Sequence, residues 1–276
     1  MILILSGSSC SGKNTIIKKL TNLNEDVKLI PTFTTRDKRP NETEGNPYHY
    51  LTKSEFQNKI KKGDFFEHEL IHNNFYGVEK NHCNEMLKSS KHLIKDLGVI
   101  GTFNLKENLQ DSYVETVFLY VNKCELKRRL IQRGDDKKDI KLRLKRFKFE
   151  KSYINRYNFL IENYDLNKTV KILNKLIELN NEKFYEYIEP LRDISCVNFK
   201  KLNQYCDKMI NNKRFKPLNV YFNGKDFYLK DNIELYLASV LTNKNVTKKI
   251  IFKEVAYDTK DYLQKVVDFI KNNEEN

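Results

Sequence analysis

The chain has 276 residues, more than one domain usually holds, with 39% hydrophobic and 12% aromatic residues and no long apolar run, a composition that excludes a membrane span and predicts a soluble folded protein. Five scattered cysteines, Cys10, Cys83, Cys124, Cys196 and Cys206, include no Cys-x-x-Cys pair, which argues against a disulfide framework or a zinc site and predicts a reducing, cytoplasmic setting. The net charge of +13 suits polyanionic partners, nucleic acid among them, although lysine spread along the whole chain equally describes a solvated surface.

The first strand is predicted at Met1 itself, so no targeting segment is expected. After a loop, helical spacing begins near Asn14 and Thr15 and runs to Leu23. Further strands are predicted at Val27 to Pro31, Tyr48 to Leu51, Phe65 to Ile71, His92 to Leu97, Val114 to Val121 and Tyr157 to Glu162. Helical patterns fall between them, at Lys53 to Lys62, Glu79 to Ser89, Lys123 to Gln132 and Lys138 to Arg156, with a closing helix from Leu166 to Tyr187. Strands alternating with helices predict an α/β fold, a parallel sheet covered on both faces with its sites at the carboxyl ends of the strands. A domain boundary is expected near Asn180-Asn181. Beyond it, Leu218 to Phe222 and Lys225 to Leu229 flank Asn223-Gly224, a strong hairpin signal. A helix from Asp231 to Thr242, a strand from Lys249 to Val255 and a helix from Thr259 to Asn272 complete the pattern.

The loop Gly7-Ser8-Ser9-Cys10-Ser11-Gly12-Lys13 fits the phosphate-binding P-loop except at its last position. Glycines at both ends let successive amides turn toward phosphate oxygens, and the helix behind adds its positive end. Lys13 then reaches the outer phosphates of ATP. Asn14 replaces the usual hydroxyl, so Thr15, or the Asn14 amide through a water, is the expected contact for Mg²⁺.

A second set of residues narrows the choice. The run Thr34-Thr35-Arg36-Asp37-Lys38-Arg39-Pro40-Asn41-Glu42-Thr43-Glu44-Gly45-Asn46-Pro47-Tyr48, followed by Glu55-Phe56, Glu67 and Tyr76-Gly77, resembles the guanylate kinase family, in order and without large gaps over about the first 180 residues. The resemblance implies a P-loop NTPase-type sheet flanked by helices, a small monophosphate-binding subdomain and a lid. Two guanidinium forks and two phenols are a donor set for a monophosphate dianion, and the resemblance assigns that task to Arg36, Arg39, Tyr48 and Tyr76. It makes Glu67 the acceptor for the guanine N–H and amino groups, places the Thr32 hydroxyl near the base, and has Glu42 support the arginines. Arg133-Gly134-Asp135 and Ile140 to Arg143 resemble the mobile lid, whose Arg133 and Arg143 close over the transferring phosphoryl group. Asp96 matches an aspartate near the metal and the acceptor.

Two positions depart from the family pattern. Val78 stands where a serine or threonine usually touches the base, and Gly98 stands where a second acidic residue is expected, two places after Asp96. The leading expectation is phosphoryl transfer from ATP to a nucleoside monophosphate, GMP or dGMP. A kinase acting on a base or an end within nucleic acid and a non-catalytic guanylate-kinase-like interaction module are the alternatives. Residues 181–276 are expected to form a small α+β domain, faintly similar to ParB-like domains from Asp193 to Val255. From Lys230-Asp231-Asn232 onward it lacks the Gly and Arg that those domains use for phosphate chemistry, so a binding or structural module is expected. The sequence gives no indication of oligomeric state.

Overall fold

The computed structural model describes residues 1–38, 42–45, 47–71, 73–109, 114–179, 188–190 and 197–253. In chain order they form β1 (Ile2–Ser6), α1 (Lys13–Leu23), β2 (Val27–Leu29), β3 (Thr32–Thr34), β4 (Thr43–Glu44), β5 (Pro47–Tyr50), α2 (Lys53–Lys62), β6 (Phe65–Ile71), β7 (Asn74–Glu79), α3 (Lys80–Ser89), β8 (His92–Asp96) and α4 (Val99–Asn108). Then follow β9 (Val114–Tyr120), α5 (Lys123–Gln132), α6 (Lys137–Lys151), a 3₁₀ turn at Ile154–Arg156, β10 (Phe159–Glu162), α7 (Leu166–Glu178), β11 (Ile188–Pro190), α8 (Phe199–Ile210), β12 (Leu218–Phe222), β13 (Phe227–Leu229), α9 (Ile233–Leu241) and β14 (Lys248–Phe252).

Strand β1 is buried at all five positions, as a strand covered on both faces must be. It pairs in parallel with β8 and β9 inside a nine-stranded sheet with the order β11-β13-β12-β14-β10-β9-β1-β8-β2. Only the β12–β13 pair is antiparallel. The expected α/β architecture with a parallel-dominated sheet is therefore what the chain adopts. A smaller mixed sheet, β4-β5-β3-β7-β6, carries Thr32, Tyr48, Glu67 and Tyr76 opposite the carboxyl end of β8.

The strands after residue 188 build onto the same large sheet. β14 pairs in parallel with β10, Phe159 opposite Lys248 and Ile161 opposite Ile250, and β12 pairs with β14. One apolar cluster joins Leu3, Leu5 and Leu20 to Leu173, Val220, Leu237 and Ile250, so burial on the two sides of the expected boundary is shared. The hairpin turns at Asn223-Gly224, where Asn223 Oδ1 accepts from the amides of Lys225 and Asp226, each at 2.8 Å. Asn180-Asn181 and the predicted helix from Thr259 to Asn272 lie outside the described residues. Cys10, Cys83, Cys124 and Cys206 are free thiols. Among the described residues no helix is long and apolar enough to cross a membrane.

Candidate active site

Both glycines of the phosphate loop are required by its geometry. Gly7 (φ +145°) and Gly12 (φ +99°) occupy backbone conformations that side chains rarely adopt. A Cβ at Gly7 would collide with the Leu119 carbonyl oxygen, and one at Gly12 with the Asn163 amide. Cys10 is left-handed as well, at φ +63°, and the Ser11 amide closes the turn onto the Ser8 carbonyl at 3.0 Å. Helix α1 then starts at Lys13 with no acidic side chain in its first turn, leaving its positive pole uncancelled. Lys13 Nζ donates to the Gly7 carbonyl at 2.6 Å. Burial lowers its pKa, opposed by the nearby carboxylates of Asp96 and Glu150.

Residues that local sequence reasoning missed brace this loop from the far side of the chain. Asn163, at the end of β10 and 3% exposed, donates to the Ser11 carbonyl at 2.7 Å and accepts from Thr169 Oγ1 at 2.8 Å. Arg129 donates to the Asn163 carbonyl at 2.9 Å and to that of Cys10 at 3.4 Å. Ser8 Oγ donates to Glu150 at 2.5 Å. Of the two arginines expected to close over the phosphoryl group, Arg143 donates to Ser9 Oγ at 2.9 Å and pairs with Asp135 at 3.1 Å, whereas Arg133 is half-exposed and held by Asp135 at 2.6 Å.

Across the cleft, Arg36 bonds Glu42 at 2.8 Å and lies 4.8 Å from the centre of the Tyr48 ring. The other Glu42 oxygen accepts from the Tyr50 hydroxyl at 2.7 Å; burial and that carboxylate push the Tyr50 phenol up to about 12. Tyr48 and Tyr76 meet edge to face, their centroids 6.4 Å apart. Tyr50 was also missed by sequence reasoning, and Arg39 lies outside the described residues. Glu67 is 6% exposed, and its carboxylate makes no hydrogen bond or ion pair to another described residue while keeping a little access to solvent. Burial raises its carboxyl to about 7, with Lys95 pulling down and Glu69 pushing up. Its space exists because position 101 is glycine: a Cβ there would lie 2.6 Å from Glu67 Oε2. Val78 is fully buried beside this region.

Asn14, Thr32, Tyr48, Lys95 and Asp96 line one cavity of about 780 Å³ between α1, β2 and the smaller sheet. Asp96 lies within electrostatic reach of both Lys13 and Tyr48. Asn14 and Asp96 offer oxygen donors to this space, a set that suits a hard ion such as Mg²⁺. Thr15 is exposed on α1 and is not among the cavity's lining residues.

The guanylate kinase family model matches residues 1–180. The guanylate kinase of Clostridium perfringens is 32% identical over 181 residues, covering 64% of this chain and 82% of the relative. That of Rickettsia bellii is 33% identical over 184 residues, covering 66% and 96%. Among solved structures, guanylate kinase from Anaplasma phagocytophilum superposes with a TM-score of 0.54 at 27% identity, over 66% of this chain and 87% of that one. A phosphate loop, a facing cluster of Arg36, Tyr48 and Tyr76, and a match spanning both agree: over residues 1–180 the chain belongs to the guanylate kinase family, a family of ATP-dependent nucleoside monophosphate kinases.

Proposed function

We propose that the protein transfers the terminal phosphoryl group of ATP to GMP or dGMP, giving the diphosphate. The observation that carries this reading is the shared cleft, lined by Asn14, the residue that follows Lys13 of the phosphate loop, together with Tyr48 and Asp96. The loop amides, the start of α1 and Lys13 hold the phosphates of ATP. Arg36, Tyr48 and Tyr76, with Arg39, hold the acceptor phosphate in line. Arg143, already on Ser9, and Arg133 neutralise charge on the transferring group. Asn14 and Asp96, which line the cleft, would hold Mg²⁺, and the ion would supply positive charge to offset that of the outer phosphates; the Thr15 hydroxyl, exposed on α1, lies outside that lining. The acceptor oxygen is already an anion, so no side chain has to remove a proton. Glu67, as carboxylate, accepts two adjacent N–H groups, which guanine offers on one edge and adenine does not.

The test is ADP release by purified protein with ATP, Mg²⁺ and a panel of ribo- and deoxynucleoside monophosphates. GMP and dGMP should exceed AMP, CMP and UMP by roughly 100-fold or more in kcat/KM. Equal rates across the panel would overturn the base assignment, and transfer only to a 5′-hydroxyl oligonucleotide would favour a nucleic-acid substrate.

A further inference from the structure

Lys95 is a charged side chain in the middle of a buried parallel strand. It is 1% exposed, between Ile94 and Asp96 on β8. Its ammonium donates to the Ile30 carbonyl at 3.0 Å and, at very short range, to Thr32 Oγ1. The third N–H finds no acceptor among the described residues, and the side chain lines the cleft cavity together with Thr32. The Thr32 hydroxyl accepts from Lys95, which leaves its own proton to give, and no described residue takes it.

Glu67 stands within electrostatic reach of this ammonium, yet the two form no direct ion pair, and each keeps unused hydrogen-bonding capacity in a place nearly closed to water. Hydrogen bonds made where little water competes are stronger than exposed ones, so a ligand that answers both at once gains from each. The other carboxylate on this side of β6, Glu69, already faces Arg146 at 3.4 Å. Val78 is fully buried and brings no hydroxyl. What remains is a donor pole, Lys95 and Thr32, near an acceptor pole, Glu67. The matching ligand edge carries a carbonyl next to an N–H, the 6-oxo and N1–H edge of a 6-oxopurine. Adenine presents an amino group where the carbonyl should be, so donor would meet donor.

We infer that Lys95 is a specificity-determining residue of the acceptor pocket: with Thr32 it supplies the donors for the ring carbonyl of a 6-oxopurine nucleotide, while Glu67 takes the adjacent N–H groups. The inference rests on the nucleotide-kinase reading above and adds to it the residue that replaces the hydroxyl missing at Val78.

The experiment compares GMP, 6-thio-GMP and IMP as acceptors for the wild-type chain and for Lys95→Met, which keeps the apolar stem and removes the donor. 6-Thio-GMP keeps the N1–H and amino groups but weakens the acceptor at position 6; IMP keeps the carbonyl but lacks the amino group. The wild type should prefer GMP to 6-thio-GMP by roughly 10-fold or more in kcat/KM, and Lys95→Met should cut kcat/KM for GMP by roughly 10- to 100-fold and largely erase that preference. The GMP-to-IMP ratio, set at Glu67, should change little. An unchanged GMP-to-6-thio-GMP ratio in the variant overturns the inference. Collapse of both ratios together also overturns it, since that marks a structural role. Should Lys95→Met not fold, Lys95→Gln, which retains an N–H donor without the charge, should keep part of the preference; a wild type indifferent to the 6-thio change overturns the inference with no variant needed. A wild type that phosphorylates no nucleoside monophosphate takes the kinase reading down as well, whereas transfer to GMP that is insensitive to Lys95 removes only this inference.

Discussion

Glu67 binds its proton more tightly in the folded chain than in the unfolded one, about 7 against 4.5, because burial penalises the carboxylate. The folded state therefore carries more protons between those values, and stability falls as pH rises from about 4.5 to about 7, by no more than about 3 kcal/mol, then levels off. Acceptor binding has the opposite sign, since only the carboxylate accepts two N–H groups, so KM for GMP should fall as pH rises from 6 to 8. Lys95 and Glu69 face the same carboxyl, and Glu67→Gln isolates its share. The variant should lose most of the pH dependence of Tm in thermal unfolding between pH 5 and 8; a slope that survives belongs to another group. At the opposite wall, Lys13→Ala should lower kcat by roughly 100-fold or more with little change in Tm, and near-normal turnover would refute the assignment of the loop. Gly7, Gly12 and Lys13 were legible because their spacing is local. Asn163 and Arg129 were not, because they meet the loop across 152 and 119 residues of chain, and no local pattern marks a buried asparagine as a brace.

At the scale of elements, Asn163 couples the end of β10 to the phosphate loop and to α7. Asn163→Ala leaves the Ser11 carbonyl and the Thr169 hydroxyl without that partner, a loss of roughly 2–4 kcal/mol for two buried hydrogen bonds. KM for ATP should rise together with the fall in Tm, both measured on the same preparation; a drop in Tm with unchanged KM would show that the loop keeps its shape without the brace. The elements themselves were readable where their boundaries are set by neighbours in sequence. Helix α2 begins and ends as expected because Thr52 and Glu55 form a capping box and Gly63 closes it in the left-handed conformation. Helix α4 was missed for a physical reason. It opens with Gly98, Val99, Ile100, Gly101 and Thr102, poor helix formers, and burial of Val99, Gly101, Thr102, Phe103 and Leu105 leaves no amphipathic stripe to read. The glycines answer distant carboxylates instead: a Cβ at Gly98 would come 3.2 Å from Glu69 Oε2, as one at Gly101 would crowd Glu67. β3 and β7 were lost similarly, one being three residues long and the other following Asn73, whose positive φ of 66° makes the turn.

For the whole molecule, the question is whether the tail, the described residues from 188 to 253, unfolds with the kinase or apart from it. Change of pattern near residue 180 suggested two units, since hairpin and helix signals are local, whereas parallel pairing of β14 with β10 joins residues 89 apart, Phe159 and Lys248, and leaves no such signal. Lys248, pushed down to about 8 chiefly by burial and drawn upward by Glu115 of β9, adds an electrostatic link across β10, and Val220 and Leu237 share an apolar cluster with Leu3 and Leu5. Shared burial of this kind favours cooperative unfolding. We therefore expect calorimetry to give a single transition, raised as a whole by ATP with Mg²⁺ and GMP, because a ligand that binds only the native state stabilises everything that melts with its site. Val220→Asp, which puts an unpaired charge at a fully buried position of β12, should destabilise by roughly 3–5 kcal/mol and lower the temperature at which phosphoryl transfer is lost, although Val220 lies in the tail. Two resolved transitions, with the variant shifting only the one that nucleotide leaves unmoved, would show the tail to be an independent unit attached to the edge of the kinase sheet.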